Sequence, residues 1–129
     1  MKVQDTTIRL LLVEDNDVYR ESLVYLLNRI DDLDVVGAVA DGNSALPACR
    51  ELYPDVVVVD FRLPDFDGAE VAAELRVRCP AVAVVFLSAS AGREEYDAAS
   101  SAGAALVLKD EGVDALVGAV RAAAGRSRE

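Results

Sequence analysis

Five short apolar runs recur along the chain, each followed by a longer amphipathic segment. This alternation limits the possible folds more than any other feature. The runs are IRLLLV (8–13), DVVGAVA (34–40), DVVVV (55–59), AVAVVFL (81–87) and AALVL (104–108). They are rich in β-branched residues and mostly continuous rather than alternating, as strands buried on both faces are. Such burial is typical of parallel sheets.

The intervening segments carry helical patterns. DVYRESLVYLLNRI places Val18, Leu23, Leu26, Leu27 and Ile30 close to one helical face. In NSALPACREL, with Asn43 as N-cap, Pro47 falls near the edge of the first turn, where backbone N–H groups lack intrahelical partners. GAEVAAELRVR ends at Cys79-Pro80, because proline blocks continuation. GREEYDAASSAG ends on Gly103, a glycine C-cap, and VDALVGAVRAAAG closes the domain. Five strand–helix repeats predict an α/β fold, a doubly wound (βα)5 parallel sheet with helices on both faces. The polar, basic tail GRSRE reads as a frayed end or the start of a linker.

A chain of 129 residues suits one domain and buries roughly two thirds of its extended surface, enough for a core of its own. An apolar fraction of 53% is too high for disorder, and a net charge of -10 disfavours direct contact with nucleic acid or anionic membrane. Cys49 and Cys79 form no CxxC, and the chain has no histidine to complete a zinc site. They read as buried free thiols in a reducing cytoplasm. The first residues, MKVQDTT, contain no apolar h-region, and no apolar run is long enough to span a bilayer.

In a parallel α/β sheet the carboxyl ends of all strands gather on one edge, where ligands bind. The first run ends in Glu14-Asp15, the third in Asp60, the fourth in Ser88 and the fifth in Lys109. Taken singly, each has an ordinary explanation. Glu14-Asp15 suits a solvated turn and helix cap, Asp60 a cap before the Asp67-Gly68 turn, and Ser88 any strand end. Their joint placement on one edge points to a site. Two unit charges about 5 Å apart repel by about 3 kcal/mol at an effective dielectric of about 20. Three clustered carboxylates therefore call for a cation. Oxygen-only donors select a hard ion, Mg²⁺ with Mn²⁺ as substitute. Carboxylates, Mg²⁺, a lysine and a hydroxyl together suit phosphoryl transfer, in which a carboxylate can itself be the nucleophile.

These residues carry a family resemblance. LLLVEDN, VVVVDFRLPDFDG, VVFLSAS and LVLKD resemble the acidic pair, acceptor strand, Ser/Thr strand and lysine strand of the receiver domains of two-component response regulators, the CheY-like superfamily. The ending Lys109-Asp110 is similar to the NarL/FixJ (LuxR-type) group. The resemblance covers residues 7–124 as the receiver domain, with 125–129 as a tail or the start of a linker to an output domain absent from this chain. It implies a flavodoxin-like five-stranded sheet in the order 2-1-3-4-5.

By the same resemblance Asp60 is the phosphoryl acceptor, with self-catalysed transfer and slow autodephosphorylation rather than enzymatic turnover. Asp15 ligates Mg²⁺ directly, Glu14 acts through water, and the backbone carbonyl of Arg62 supplies a further ligand. Lys109 binds a phosphoryl oxygen, and Ser88 hydrogen-bonds the phosphoryl group and draws its loop inward. The implied partners are a histidine kinase and, through the output domain alone, DNA. In the residues themselves, the last helix, VDALVGAVRAAAG, has a small, flat Ala/Val face that suits either a homodimer or packing on its own sheet. Arg62 and Ser90 flank the phosphorylation site.

One departure is Leu106, three residues before the lysine, where many members carry a Tyr or Phe that turns inward on activation. The aromatic version of the switch is therefore not carried over. The alternative functional reading is a non-phosphorylated receiver acting as a protein-interaction module. A haloacid-dehalogenase-type phosphatase requires a second Asp where Arg62 stands. A flavin carrier requires a loop rich in N–H and hydroxyl donors where this chain has the acidic EDNDVY.

Overall fold

The computed structural model describes residues 7–128, with the side chains of 126–128 left aside. The leader-free N-terminal reading of residues 1–6, and Glu129, lie outside the described residues. Strands β1 (Ile8–Val13), β2 (Leu33–Val39), β3 (Val56–Asp60), β4 (Ala83–Ser88) and β5 (Ala105–Leu108) alternate with helices α1 (Asp17–Asn28), α2 (Ala45–Leu52), α3 (Gly68–Arg78), α4 (Arg93–Ala102) and α5 (Val113–Arg128). All four strand pairings are parallel, and the sheet order is β2-β1-β3-β4-β5, as expected.

The valine run of β3 explains the layering. Every residue from Val56 to Asp60 is buried, and successive side chains point to opposite faces. Val56 and Val58 join Leu10, Leu12, Leu27, Leu116 and Val120 under α1 and α5. Val57 and Val59 join Leu11, Val13, Cys49, Val71 and Leu75 under α2 and α3. Each fully buried valine contributes about 2 kcal/mol of hydrophobic stabilisation. A smaller cluster of Phe61, Ala72, Phe86 and Ala99 lies towards α4, with Leu106 packed against it. Leu106 pairs with Phe86 in register, so this position adds an aliphatic side chain to an existing Phe61–Phe86 edge-to-face pair.

Helix ends follow local chemistry. Asn16 caps α1 by accepting the Tyr19 N–H at 2.8 Å. Asp67 and Glu70 form a reciprocal capping box at the start of α3. Gly103 ends α4 in the left-handed region at φ 64°, as expected of a glycine C-cap. The cap of α2 is Ser44, one residue later than Asn43, which places Pro47 third in the helix, within the first turn, where its missing N–H costs nothing. Strand ends shift by one or two residues. Asp60 and Ser88 belong to their strands, and a Val82 N–H to Cys79 carbonyl turn delays β4 to Ala83. At the other end, α5 continues helically through Arg128, across residues read from sequence as a tail.

Candidate functional site

The predicted residues converge at the carboxyl edge of the sheet. Glu14, Asp15 and Asp60 each place a carboxylate oxygen within 4.8 Å of the others. Glu14 and Asp60 are buried at 1% and 5% exposure, whereas Asp15 is exposed. Lys109 Nζ lies 2.8 Å from Glu14 Oε1 and 3.0 Å from Asp60 Oδ2, so the first countercharge for the buried acids is the lysine itself. Burial raises the Glu14 pKa above its ordinary value, and Lys109 and the Asn16 N–H offset this only in part. Partial burial acts to lower the Lys109 pKa, but the two carboxylates override it and hold it above the usual lysine value.

Asp60 is held from a second side. Its Oδ1 accepts the Arg62 N–H at 3.1 Å, so the peptide following the strand folds back against the carboxylate. That turn is closed by an Arg62–Asp67 bridge and by the Gly68 N–H donating to the Phe61 carbonyl at 2.6 Å. Gly68 is required here because a Cβ would sit 2.8 Å from both the Asp60 carbonyl oxygen and Phe61 Cα. The fit to a hard divalent ion is good on two grounds. The donors are all carboxylate oxygens in mutual reach, and the single Lys109 charge, 2.8 Å from Glu14 Oε1 and 3.0 Å from Asp60 Oδ2, leaves the three acids with a net negative charge for a cation to meet.

Ser88 is buried at the end of β4, one strand over from Asp60. Its hydroxyl donates to the Ser90 carbonyl at 2.5 Å and so is turned into its own loop rather than onto Asp60.

Three contributors were missed by reading the sequence. Tyr19 lays its ring against Lys109, with Nζ 4.7 Å from the centroid. Asp65 accepts the Gly42 and Asn43 N–H groups at 2.8 Å each, tying the loop after β3 to the loop after β2. Desolvation works to raise its carboxyl pKa, and these N–H donors, with those of Asp65 and Phe66, together outweigh it and hold it low. Glu95 is buried in the first turn of α4, where it accepts the Gly92 N–H at 2.9 Å and meets Arg62 Nη2 at 3.2 Å. Its own backbone N–H and that of Gly92, with Arg62 beyond them, hold its carboxyl pKa below the usual value. The glycine-to-glutamate spacing of a helix start was the one available signal for it.

Residues 10–121 match the family described as the response regulator receiver domain. The chain belongs to this family. The response regulator protein VraR of Staphylococcus epidermidis is 31% identical over 115 residues, 88% of this chain and 55% of that protein. The transcriptional regulatory protein LnrK of Bacillus subtilis is 32% identical over 114 residues, 88% of this chain and 52% of that protein. The receiver domain thus spans about half the length of the curated relatives it matches. Among solved structures, a LuxR-family two-component response regulator from Aurantimonas sp. SI85-9A1 superposes with a TM-score of 0.86 at 32% identity, covering 92% of this chain and 86% of that one. Among the described residues no helix is long and apolar enough to cross a membrane.

Proposed function

We propose that this receiver domain is a phosphorylation-dependent switch that accepts a phosphoryl group on Asp60 from a histidine kinase and controls a DNA-binding output domain. The observation that carries the reading is the Asp60 carboxylate itself. It is buried at a strand end, oriented by the Arg62 N–H and Lys109, and lies within reach of Glu14 and Asp15.

In the transfer, an Asp60 oxygen forms a bond to phosphorus as the bond from phosphorus to the kinase imidazole breaks, and the imidazole nitrogen takes a proton. Glu14, Asp15, Asp60 and the Arg62 carbonyl would hold Mg²⁺ (or Mn²⁺), which supplies neutralisation of the phosphoryl oxygens. Lys109 stays with the charge that develops on those oxygens. Ser88 gives up its bond to Ser90 and donates to the phosphoryl group, which draws the loop after β4 inward. Water then hydrolyses the aspartyl phosphate slowly. VraR and LnrK are about twice as long as the part this chain matches, and LnrK is a transcriptional regulatory protein, which supports the reading of an output domain that acts on transcription. The setting is the cytoplasm, and the apolar face of α5 (Leu116, Val117, Val120, Ala123 and Ala124) is taken up by the domain's own core rather than left for a second copy.

The test is intact mass after incubation with Mg²⁺ and acetyl phosphate. A single phosphoryl adduct on the wild type, absent from Asp60→Asn and from an EDTA control, is expected. A folded wild type that gains no adduct sinks the reading and leaves the non-phosphorylated interaction module.

A further inference from the structure

Glu95 is a charged side chain that the phosphoryl chemistry does not use, yet it is only 4% exposed. Burial of a carboxylate is costly unless it is paired and hydrogen-bonded. Here both conditions are met, by Gly92 at the end of the loop after β4 and by Arg62 in the loop after β3. Glu95 Oε1 takes the Gly92 N–H, and Oε2 takes the Arg62 guanidinium. Glu94 stands 3.6 Å from the same guanidinium.

The pair is asymmetric. The Glu95 side chain is 6% exposed and fixed by the helix start, whereas the Arg62 side chain is 67% exposed and rests over the Phe61 ring at 5.9 Å. Arg62 is the partner that can leave. It also sits two residues after Asp60, and its backbone N–H already contacts the acceptor carboxylate. A phosphoryl group on Asp60 replaces the single carboxylate charge with about two negative charges and adds three acceptor oxygens at that point.

We infer that Glu95 is a positioning residue that holds Arg62, and with it the loop from Ser88 to Gly92, in the resting arrangement, and that Arg62 exchanges Glu95 for the phosphoryl group on activation. The inference rests on Asp60 being the acceptor. Loss of the ion pair loosens the first turn of α4 as Ser88 turns inward, so one side chain reports the charge at Asp60 to the fourth helix. The resting pair and the phosphoryl group then compete for a single guanidinium.

The test is the affinity of the domain for beryllofluoride with Mg²⁺, a phosphoryl mimic, measured by calorimetry for wild type, Glu95→Gln, Arg62→Ala and the double variant. Glutamine keeps an oxygen for the Gly92 N–H and removes only the charge. Glu95→Gln is expected to bind about 3- to 10-fold more tightly, the scale of one partly exposed ion pair, and this gain is expected to vanish in the Arg62→Ala background. Equal or weaker binding by Glu95→Gln, or the same gain without Arg62, overturns the exchange. In the wild type, the Arg62 side-chain N–H resonance is expected to move on adding the mimic, and an unmoved resonance overturns it equally. Failure of the folded wild type to bind the mimic removes the acceptor reading itself, a result distinct from binding that ignores Glu95.

Discussion

The Lys109 ammonium lies 3.0 Å from the Asp60 carboxylate, joining residues 49 positions apart in the chain. With Glu14 2.8 Å away on its other side, the single lysine charge is shared between two buried acids at rest. The same charge stands ready to follow phosphoryl oxygens in the proposed reaction.

Replacing Lys109 by Met leaves Glu14 and Asp60 facing each other without that charge. Stability in EDTA is expected to fall by about 1–3 kcal/mol, below the cost of breaking a fully buried pair because the lysine is partly exposed. Urea denaturation checks this as a lower midpoint at unchanged slope.

Glu14 has a folded-state pKa above its unfolded value because of burial. The sign follows from linkage. Its contribution is fully present below about pH 4.5 and is lost as pH rises through the raised folded value. Above pH 4.5 the cost of ionising Glu14 in the folded state therefore works against the metal-free fold. Glu14→Gln is expected to be more stable than wild type at pH 7 in EDTA, with the difference shrinking below pH 4.5. Denaturation midpoints across that range decide it, and a variant less stable at pH 7 contradicts the sign.

Mg²⁺ binding by the three carboxylates stabilises the folded state by mass action. At about 100 times its Kd the ion is expected to add about 2.7 kcal/mol. Asp15 is exposed, so Asp15→Asn is expected to match wild type in EDTA and to lose most of the Mg²⁺ increment. Thermal melts with and without the ion make the comparison.

Gly68→Ala places a methyl group against the Asp60 and Phe61 backbone at 2.8 Å. Backbone cannot rotate away as a side chain can, so a loss of about 1–3 kcal/mol is expected, together with slower phosphorylation as Asp60 is displaced. An alanine variant with wild-type melting and phosphorylation would contradict the close approach.

Cys49 is buried, and burial, with the thiol of Cys79 beside it, pushes its pKa up to about 12. Cys79 is part-exposed at the end of α3. Native protein at pH 8 is expected to show one thiol reacting with a disulfide reagent, Cys79, and two in denaturant. Fast reaction of both native thiols contradicts the burial.

The strand–helix alternation, the parallel sheet and the residue at each strand end were determined by the sequence alone, because they depend on periodicity and on where an apolar run stops. Valines from 56 to 59 followed by Asp60 state a buried strand and its exit within five positions. Tertiary structure alone decided which charges meet. Lys109 with Asp60, and Arg62 with Glu95 across 33 residues, depend on which strands lie side by side and how their loops turn. Local pattern carries no term for contacts of that range. Glu95 shows the difference most clearly. In sequence it is one acid of Arg93-Glu94-Glu95, and only the packing of α4 beside the loop after β3 buries it and supplies its partner. The resting orientation of Ser88 towards Ser90 has the same origin, since a hydroxyl chooses its acceptor from whatever the folded loop presents.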